Sequence, residues 1–374
     1  MKLTNKTPKF YDLGDILKID AQYNVIFGQR SNGKTYAVLK YILKQYHDHG
    51  KQGALCRRYL EDIRKNKLET IFSAIVKNHE ITRMFKDKGG WTGIKYTNRK
   101  FYLMKTEKGK EDDKEVIDQN PFMYVFAVSM EENYKENSYP DITTIFFDEF
   151  LSRTGYLNDE FVLFMNLVST IKRLRTDVKI FLVGNTINPY CPYFAEMGLK
   201  HAYKIPIGKI EVYTYGESSL KVAVQRAENV VKIDSKKDID PYFAFDNPSL
   251  KMVTHGDWEL SLYPHCPFKY LPKEIIFTYF IIFDDFIYQC EVIHHGKDWI
   301  TFVHRKTSPI KNDDTDLVFQ KEVSYRNNYR TRLTRPVDML GKNILSFFRN
   351  EKVFYQDNEV GEAIRNYLMW CNQE

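Results

Sequence analysis

The feature that most constrains the fold of this chain is a loop between a short apolar run and an amphipathic pattern. Residues 25–27 predict a buried strand, and apolar residues recur at helical spacing after residue 34. Between them, residues 28–35 read GQRSNGKT and fit G-x-x-x-x-G-K-[ST] at every fixed position, which predicts a phosphate-binding P-loop. We expect ATP to be held by Gly28, Gln29, Arg30, Ser31, Asn32, Gly33, Lys34 and Thr35.

Phosphate chemistry explains these residue types. Glycines let the main chain curl until successive N–H groups face phosphate oxygens, and the helix N-terminus adds partial positive charge. Lys34 is expected to reach the β- and γ-phosphates, and the Thr35 hydroxyl to ligate Mg²⁺. The alternative is a strand–helix turn that binds nothing, which the intact spacing and its context disfavour.

The second part of the predicted site follows another apolar run. Residues 144–147 precede Asp148, so its carboxylate is expected at the carboxyl end of a buried strand, holding Mg²⁺ together with Thr35. Glu149 is expected to polarise the water that attacks the γ-phosphate, which distinguishes a hydrolase from a kinase. Asn185 ends the next strand, where it either contacts the γ-phosphate or attacking water, or forms a turn.

Composition limits the class of protein. The chain has 374 residues, of which 43% are apolar and 28% charged, so we expect a globular protein of two domains. A net charge of +6 permits a polyanionic partner without requiring one. The five cysteines are widely spaced with no C-x-x-C pair, which indicates reduced thiols and argues against a thiolate zinc site.

No segment predicts contact with a membrane. The first fifteen residues lack the apolar core of a signal peptide. The longest apolar stretch, residues 275–283, is too short to cross a bilayer as a helix. We therefore expect a soluble intracellular protein without a membrane partner.

The strand and helix patterns change along the chain. Residues 1–205 alternate strand and helix signals, which predicts an open α/β sheet. Residues 206–250 are interpreted as a linker, and residues 251–374 as a smaller α/β domain. In that domain we expect an antiparallel meander at 275–283, 286–293 and 299–305, followed by helices at 337–349 and 360–369.

Several motifs occur together in the first two hundred residues. Besides the P-loop, they are Cys-Arg-Arg-Tyr at 56–59, Ser-Tyr-Pro-Asp-Ile-Thr-Thr-Ile-Phe-Phe-Asp-Glu-Phe at 138–150, Ile-Lys-Arg-Leu-Arg at 171–175 and Gly-Asn-Thr-Ile-Asn-Pro-Tyr at 184–190. In this order they resemble the DNA-packaging (encapsidation) ATPases of small, short-tailed, protein-primed phages, which are terminase-like P-loop ATPases.

The resemblance implies a specific machine. It implies an ATPase of the additional-strand, catalytic-glutamate class, working with ATP and Mg²⁺ as a homopentameric ring. Such a ring threads double-stranded DNA into a preformed capsid in the host cytoplasm, at the portal vertex. The family uses the portal (connector) or a structural RNA as a further partner.

The resemblance also assigns roles to basic residues. Arg173 is expected to complete the ATP site of the neighbouring subunit, with Arg175 as the second choice, although both also fit the cations that favour a helix C-terminus. Lys135 lies in the segment that matches the DNA-gripping loop, and Arg57 belongs to a matching motif. We expect these two residues to contact DNA.

The C-terminal domain has a basic patch but no predicted metal site. Arg330 and Arg332 lie in residues 326–335, a patch expected either to bind the nucleic-acid backbone or to be a solvated loop. Asp284 and Asp285 lie between two apolar runs and are interpreted as a hairpin turn. We therefore expect a vestigial RNase H-like nuclease fold without a metal-binding acidic cluster.

Two other functions remain open at this level. A P-loop small-molecule kinase would not need Glu149 as a base. A nucleotide-gated assembly protein would hold ATP and barely turn it over. DNA-stimulated ATP hydrolysis distinguishes the motor from both.

Overall fold

The computed structural model describes residues 10–108, 113–152, 155–186, 191–199, 201–228, 263–266 and 268–372. The chain divides into two compact units, Met1–Glu259 and Leu260–Glu374, each with its own sheet. Both units mix helices and strands, which confirms the α/β prediction.

The first unit is built on a large mixed sheet. Its strands are β1 (Tyr23–Gly28), β2 (Gln52–Arg57), β3 (Gly93–Thr97), β4 (Lys100–Glu107), β5 (Lys114–Ile117), β6 (Met123–Ala127), β7 (Ile142–Asp148), β8 (Lys179–Asn185), β9 (Ile210–Thr214) and β10 (Lys221–Arg226). Its helices are α1 (Gly14–Lys18), α2 (Lys34–His49), α3 (Lys65–Leu68), α4 (Ser73–Lys77), α5 (Glu80–Met84), α6 (Glu160–Lys172) and α7 (Pro192–Glu196).

Strand order brings several loops to one edge of this sheet. Within the described residues the order is β3-β4-β6-β2-β7-β8-β1-β10-β9, with β5 paired to β4. From β6 to β10 in that order, every neighbouring pair is parallel. The residues after β1, β2, β7 and β8 therefore meet at the same carboxyl edge. β8 lies between β1 and β7.

Helices cover both faces of the central strands. Successive side chains of a strand point to opposite faces, so Val25 and Phe27 pack in the apolar cluster that contains α6, whereas Ile26 packs in the cluster that contains α2. All six residues of β1 are buried, as expected of a parallel strand covered on both sides. The carboxyl edge therefore belongs to strands that are packed on both faces.

The predicted boundary at residue 205 is wrong. Instead of beginning a linker, β9 and β10 extend the sheet: β10 pairs in parallel with β1, and β9 pairs antiparallel with β10. The physical reason is burial, because Val222, Ala223 and Val224 are almost completely covered and in turn cover β1. Residues 229–250 of the predicted linker and 251–262 of the predicted second domain lie outside the described residues.

The second unit forms a smaller mixed sheet. Its strands are β11 (Ile275–Phe283), β12 (Phe286–His295), β13 (Asp298–Lys306), β14 (Val318–Phe319), β15 (Tyr329–Arg330) and β16 (Val353–Tyr355), and its helices are α8 (Met339–Arg349) and α9 (Asn358–Cys371). Among the described residues the order is β15-β14-β11-β12-β13-β16. The antiparallel meander β11–β12–β13 and both predicted helices are confirmed.

Asp284 and Asp285 form the turn between β11 and β12. Their φ angles are 50° and 65°, the left-handed values that a two-residue hairpin turn needs. The turn prediction is therefore confirmed. In the described part of the chain, no group of three or more His, Cys, Asp or Glu side chains is arranged to hold a metal ion. None of the described helices is both long enough and apolar enough to cross a bilayer.

Candidate nucleotide site

The P-loop is the turn between β1 and α2. Gly33 caps α2 with φ 93°, a left-handed value that a residue with a side chain adopts at a cost. A Cβ on Gly28 would lie 3.2 Å from the carbonyl oxygen of Ala227, so this position also needs a glycine for close packing. The glycines at both ends of the motif are thus explained by the fold.

Lys34 lies inside the loop rather than in solvent, with only 4% of the residue exposed. Its ammonium donates to the carbonyl oxygens of Gly28 (3.3 Å) and Gln29 (2.6 Å) and to the side-chain oxygen of Asn32 (3.0 Å). Burial lowers the pKa of Lys34 to about 7, although the charge of Asp148 opposes the shift. A triphosphate would exchange these neutral acceptors for anionic oxygens.

Thr35 and Asp148 are in direct contact. The Thr35 hydroxyl donates to a carboxylate oxygen of Asp148 at 2.9 Å, where β7 ends beside the P-loop. Burial raises the pKa of Asp148, while Arg57 opposes that shift. A hydroxyl and a carboxylate side by side are the hard oxygen ligands that Mg²⁺ prefers, so the residues present fit this cation.

Glu149 follows Asp148 in a constrained main-chain turn. Its φ angle is 65°, a left-handed conformation that costs a non-glycine residue about 1 kcal/mol or more. The N–H groups of Glu149 and Phe150 both donate to the carbonyl oxygen of Val183 in β8, at 2.8 and 3.2 Å. The side chain is 66% exposed, so water can reach it.

Arg57, which was predicted to contact DNA, joins the two carboxylates. From the end of β2 its guanidinium donates to Asp148 at 2.7 Å and to Glu149 at 2.5 Å. Only 15% of this side chain is exposed. The arginine is engaged inside the nucleotide site because β2 pairs directly with β7.

Asn185 is at the same edge as the P-loop. It pairs with Gly28 in the β1–β8 register, and its side-chain oxygen accepts from the Lys34 ammonium at 3.4 Å. Of the motif that follows, residues 187–190 lie outside the described residues. The structure thus brings Lys34, Thr35, Asp148, Glu149 and Asn185 together.

Arg173 is at the other edge of the sheet. It follows α6, and its guanidinium donates to the carbonyl oxygen of Asn137 at 3.0 Å, close to the start of β7. The seven residues of β7 separate the two edges by about 20 Å. Arg175 donates to several main-chain carbonyls, including that of Ile142 at 2.7 Å, and so has a structural role within the subunit.

The remaining predicted DNA contacts are paired within the chain. Lys135 forms ion pairs with Glu132 and, at 3.7 Å, with Glu131. In the second unit, Arg330 pairs with Asp338 at 3.2 Å, and Arg332 lies over the Trp370 ring at 5.3 Å.

A buried ion pair behind Glu149 was not predicted from the sequence. Arg58 forms two hydrogen bonds with Glu160, the first residue of α6. The sequence does contain one indication of this pair, which is the two adjacent arginines at the end of an apolar strand. Successive side chains in extended backbone point in opposite directions, so the two arginines are expected to contact different groups. Arg57 and Arg58 accordingly have different partners.

Comparison with known proteins identifies the family of this chain. Residues 5–204, more than half of the chain, match the family described as Podovirus DNA encapsidation protein (Gp16). The chain belongs to this family. The resemblance inferred from the motifs is therefore confirmed.

Relatives in this family and solved structures extend the comparison. The DNA packaging protein of Bacillus phage B103 is 30% identical over 190 residues, which is 49% of this chain and 50% of that protein. The chain spans about half the length of the curated relatives that it matches.

Two solved structures match along nearly the whole chain. The bacteriophage Phi-29 viral genome packaging motor assembly has a TM-score of 0.54 at 18% identity and covers 96% of this chain and 99% of its own. The Phi-28 gp11 DNA packaging motor has a TM-score of 0.51 at 18% identity and covers 98% of this chain and 99% of its own. At this identity the likeness shows the fold alone.

Proposed function

We propose that this chain is an ATP-driven motor subunit that moves double-stranded viral DNA into a procapsid. The observation that supports it most is the convergence of Lys34, Thr35, Asp148 and Glu149 at one sheet edge. The position of β8 between β1 and β7 supports the additional-strand ATPase class. Relatives named DNA packaging protein support the choice of DNA as the cargo.

In the proposed mechanism each side chain has one task. Lys34 holds the β- and γ-phosphates, and Thr35 and Asp148 hold Mg²⁺, which when bound neutralises charge on the phosphate oxygens. Glu149 accepts a proton from a water molecule as the water oxygen attacks the γ-phosphorus. The bond to the bridging oxygen then breaks, leaving ADP and inorganic phosphate. Asn185 contacts the γ-phosphate from the end of β8.

We propose that Arg173 acts between neighbouring subunits of a ring, and that this ring is a pentamer. Because it lies about 20 Å from the nucleotide edge of its own subunit, it does not reach that site, and we propose that it serves the site of a neighbour. There it would stabilise charge on the γ-phosphate oxygens. Mixing Arg173→Ala subunits with Glu149→Gln subunits should restore part of the lost hydrolysis. No recovery at any ratio would exclude a shared site.

The second unit is proposed to be a nuclease-like fold that docks the motor rather than cutting DNA. Support comes from the order β13-β12-β11-β14-β15, with β14 parallel to β11 and β15 parallel to β14, which fits an RNase H-type sheet. We propose the portal and a structural RNA as the partners of this unit. We also propose that the motor works in the host cytoplasm, at the portal vertex of a procapsid.

The ATPase rate with and without long duplex DNA tests the proposal. We expect hydrolysis to increase with DNA and the increase to weaken between low and moderate salt, because phosphate contacts release counterions. Phosphate transfer to a small acceptor without DNA stimulation would instead indicate a kinase. Tight ATP binding with negligible turnover in both conditions would indicate an assembly protein.

A further inference from the structure

Arg58 and Glu160 form a charged pair in the interior of the first unit. The guanidinium donates to the two carboxylate oxygens at 2.6 and 2.9 Å, and the side chains are 8% and 0% exposed. Phe147 and Tyr156 enclose the guanidinium, with ring centres 5.7 and 5.1 Å away. Burial disfavours the charge on Arg58, but its contacts with Glu160 raise the pKa above the usual value.

The pair is directed at the main chain of the predicted catalytic glutamate. Arg58 donates to the carbonyl oxygen of Phe150 at 2.8 Å and reaches that of Glu149 at 3.4 Å. Glu160 in turn accepts from the main-chain N–H of Leu157 (2.8 Å) and the hydroxyl of Tyr193 (3.0 Å). The left-handed turn at Glu149 is thus held by β8 through its N–H groups and by Arg58 through its carbonyls.

The same pair connects this turn to the predicted DNA segment. The carbonyl oxygen of Arg58 accepts from the N–H of Ser129 at 3.1 Å, at the start of the 3₁₀ segment Val128–Tyr134 that precedes Lys135. Farther along that segment, Glu131 accepts from the side chain of Asn166 in α6 at 3.4 Å. Glu160 begins α6, so this helix is linked to the 3₁₀ segment twice, through Arg58 and through the hydrogen bond from Asn166 to Glu131.

We propose that Arg58 and Glu160 are positioning residues that hold Glu149 in its productive orientation and join it to the DNA-contacting segment. This inference rests on the proposed function, since it assigns a role to residues behind the hydrolysis site. A role in stability alone explains the observations less well, because replacing a buried ion pair by an apolar pair of the same shape is often neutral or stabilising. Its hydrogen bonds to the turn at Glu149 are what an apolar pair would lack.

The first test is Glu160→Gln, which keeps the size but removes the charge and replaces one of the two acceptor oxygens by an NH₂ donor. We expect kcat to fall about tenfold with KM for ATP changed less than about twofold, because the loss is in orientation and not in nucleotide binding. The stimulation of kcat by duplex DNA should also decrease. Glu80→Gln, which removes a carboxylate paired with Lys40 on α2, is the matched control and should change neither quantity.

A double-mutant cycle separates positioning from general damage. If Glu160 acts through Glu149, then Glu160→Gln should cause no further loss of single-turnover hydrolysis in a Glu149→Gln background. A further loss of about tenfold in that background would overturn the inference. Unchanged kcat in the Glu160→Gln single variant would overturn it as well.

Tyr193→Phe provides a milder variant should Glu160→Gln fail to fold. It removes one hydrogen bond to Glu160 and no charge, and we expect kcat to fall about threefold at unchanged KM. Unchanged kcat contradicts the inference. Failure of the proposed function gives a different result from failure of this inference. If the proposed function is wrong, wild-type protein shows no DNA-stimulated hydrolysis, or Glu149→Gln retains that hydrolysis.

Discussion

The charged residues around the predicted nucleotide site and those of the basic patch in the second unit differ in burial. In the first unit, Lys34, Asp148 and Arg58 are buried. Lys34 and Arg58 donate to main-chain carbonyls, and Asp148 accepts from Thr35 and Arg57. In the second unit, Arg326 and Arg330 are each 31% exposed at the side chain and pair with nearby aspartates. Burying charge costs free energy that apolar residues would not cost. The comparison therefore favours the first unit as the place of the chemistry and the partly exposed basic patch of the second unit as a surface for recognition.

The largest expected effect comes from Lys34→Met. We expect nucleotide affinity to fall at least about 100-fold, since a charge-assisted contact with phosphate is lost. The free energy of unfolding should rise by about 1 kcal/mol or more, because a desolvated cation becomes an apolar side chain. Binding of a fluorescent ATP analogue and urea unfolding measure the two quantities.

Lys40→Met on the same helix is the control for this substitution, because Lys40 is half exposed and pairs with Glu80. It should leave nucleotide affinity unchanged. Undiminished nucleotide affinity in Lys34→Met would contradict the assignment of Lys34 to the phosphates, because the buried and the exposed lysine would then behave alike.

Arg57→Gln should separate hydrolysis from DNA binding. Because Arg57 contacts Asp148 and Glu149, we expect kcat for ATP to fall about tenfold or more, while duplex DNA affinity changes less than about twofold. Arg83→Gln, which removes an exposed arginine of α5, should leave both unchanged. Loss of DNA affinity with normal hydrolysis would instead support the predicted contact of Arg57 with DNA.

The pKa of Lys34 predicts how nucleotide binding depends on pH. At a pKa of about 7 the amine is mostly neutral above pH 7, and bound phosphate favours its protonated form. Binding should therefore take up a proton, and the dissociation constant should rise by at most about tenfold per pH unit between pH 7 and 9. The free protein should gain unfolding free energy over the same rise, since only the unfolded chain keeps this proton.

Calorimetry in buffers of different ionisation enthalpy measures the proton uptake. Lys34→Arg, whose guanidinium stays charged, should abolish the uptake attributable to this position. Equal uptake by both proteins would show that Lys34 is already charged before nucleotide binds.

The smallest effect is expected in the second unit. Arg330→Gln should weaken duplex DNA binding about twofold to fivefold and reduce the slope of binding against salt by about 1. DNA-independent hydrolysis should not change, and the free energy of unfolding should change by less than about 1 kcal/mol, because the lost ion pair is partly exposed. Arg349→Gln at the end of α8 is the matched control. An unchanged salt slope would exclude Arg330 from the DNA contact.

Local patterns predicted the elements of this fold better than their long-range contacts. The strand at Lys179–Asn185 and the loop at 28–35 were predictable because a continuous apolar run and a phosphate-binding motif are local signals. The addition of β10 to β1 was not, because it joins segments about 200 residues apart in the chain.

The same limit explains which residues of the candidate site were predictable from the sequence. The location of Asp148 and Glu149 was predictable because both residues follow an apolar strand. The contacts of Arg57 were not predictable, because they depend on the pairing of β2 with β7. The partner of Arg58, at the start of α6, likewise depends on tertiary packing. Side-chain direction at the end of a strand is decided by the neighbouring strands, which the sequence does not order.

The most direct test of the account is single-turnover ATP hydrolysis by Glu149→Gln, measured together with ATP binding. We predict that binding stays within about twofold of the wild-type value and that hydrolysis falls at least about 100-fold, because the general base is lost while the phosphate contacts remain. Hydrolysis at the wild-type rate by a variant that binds ATP normally would contradict the assignment of this edge as the catalytic site.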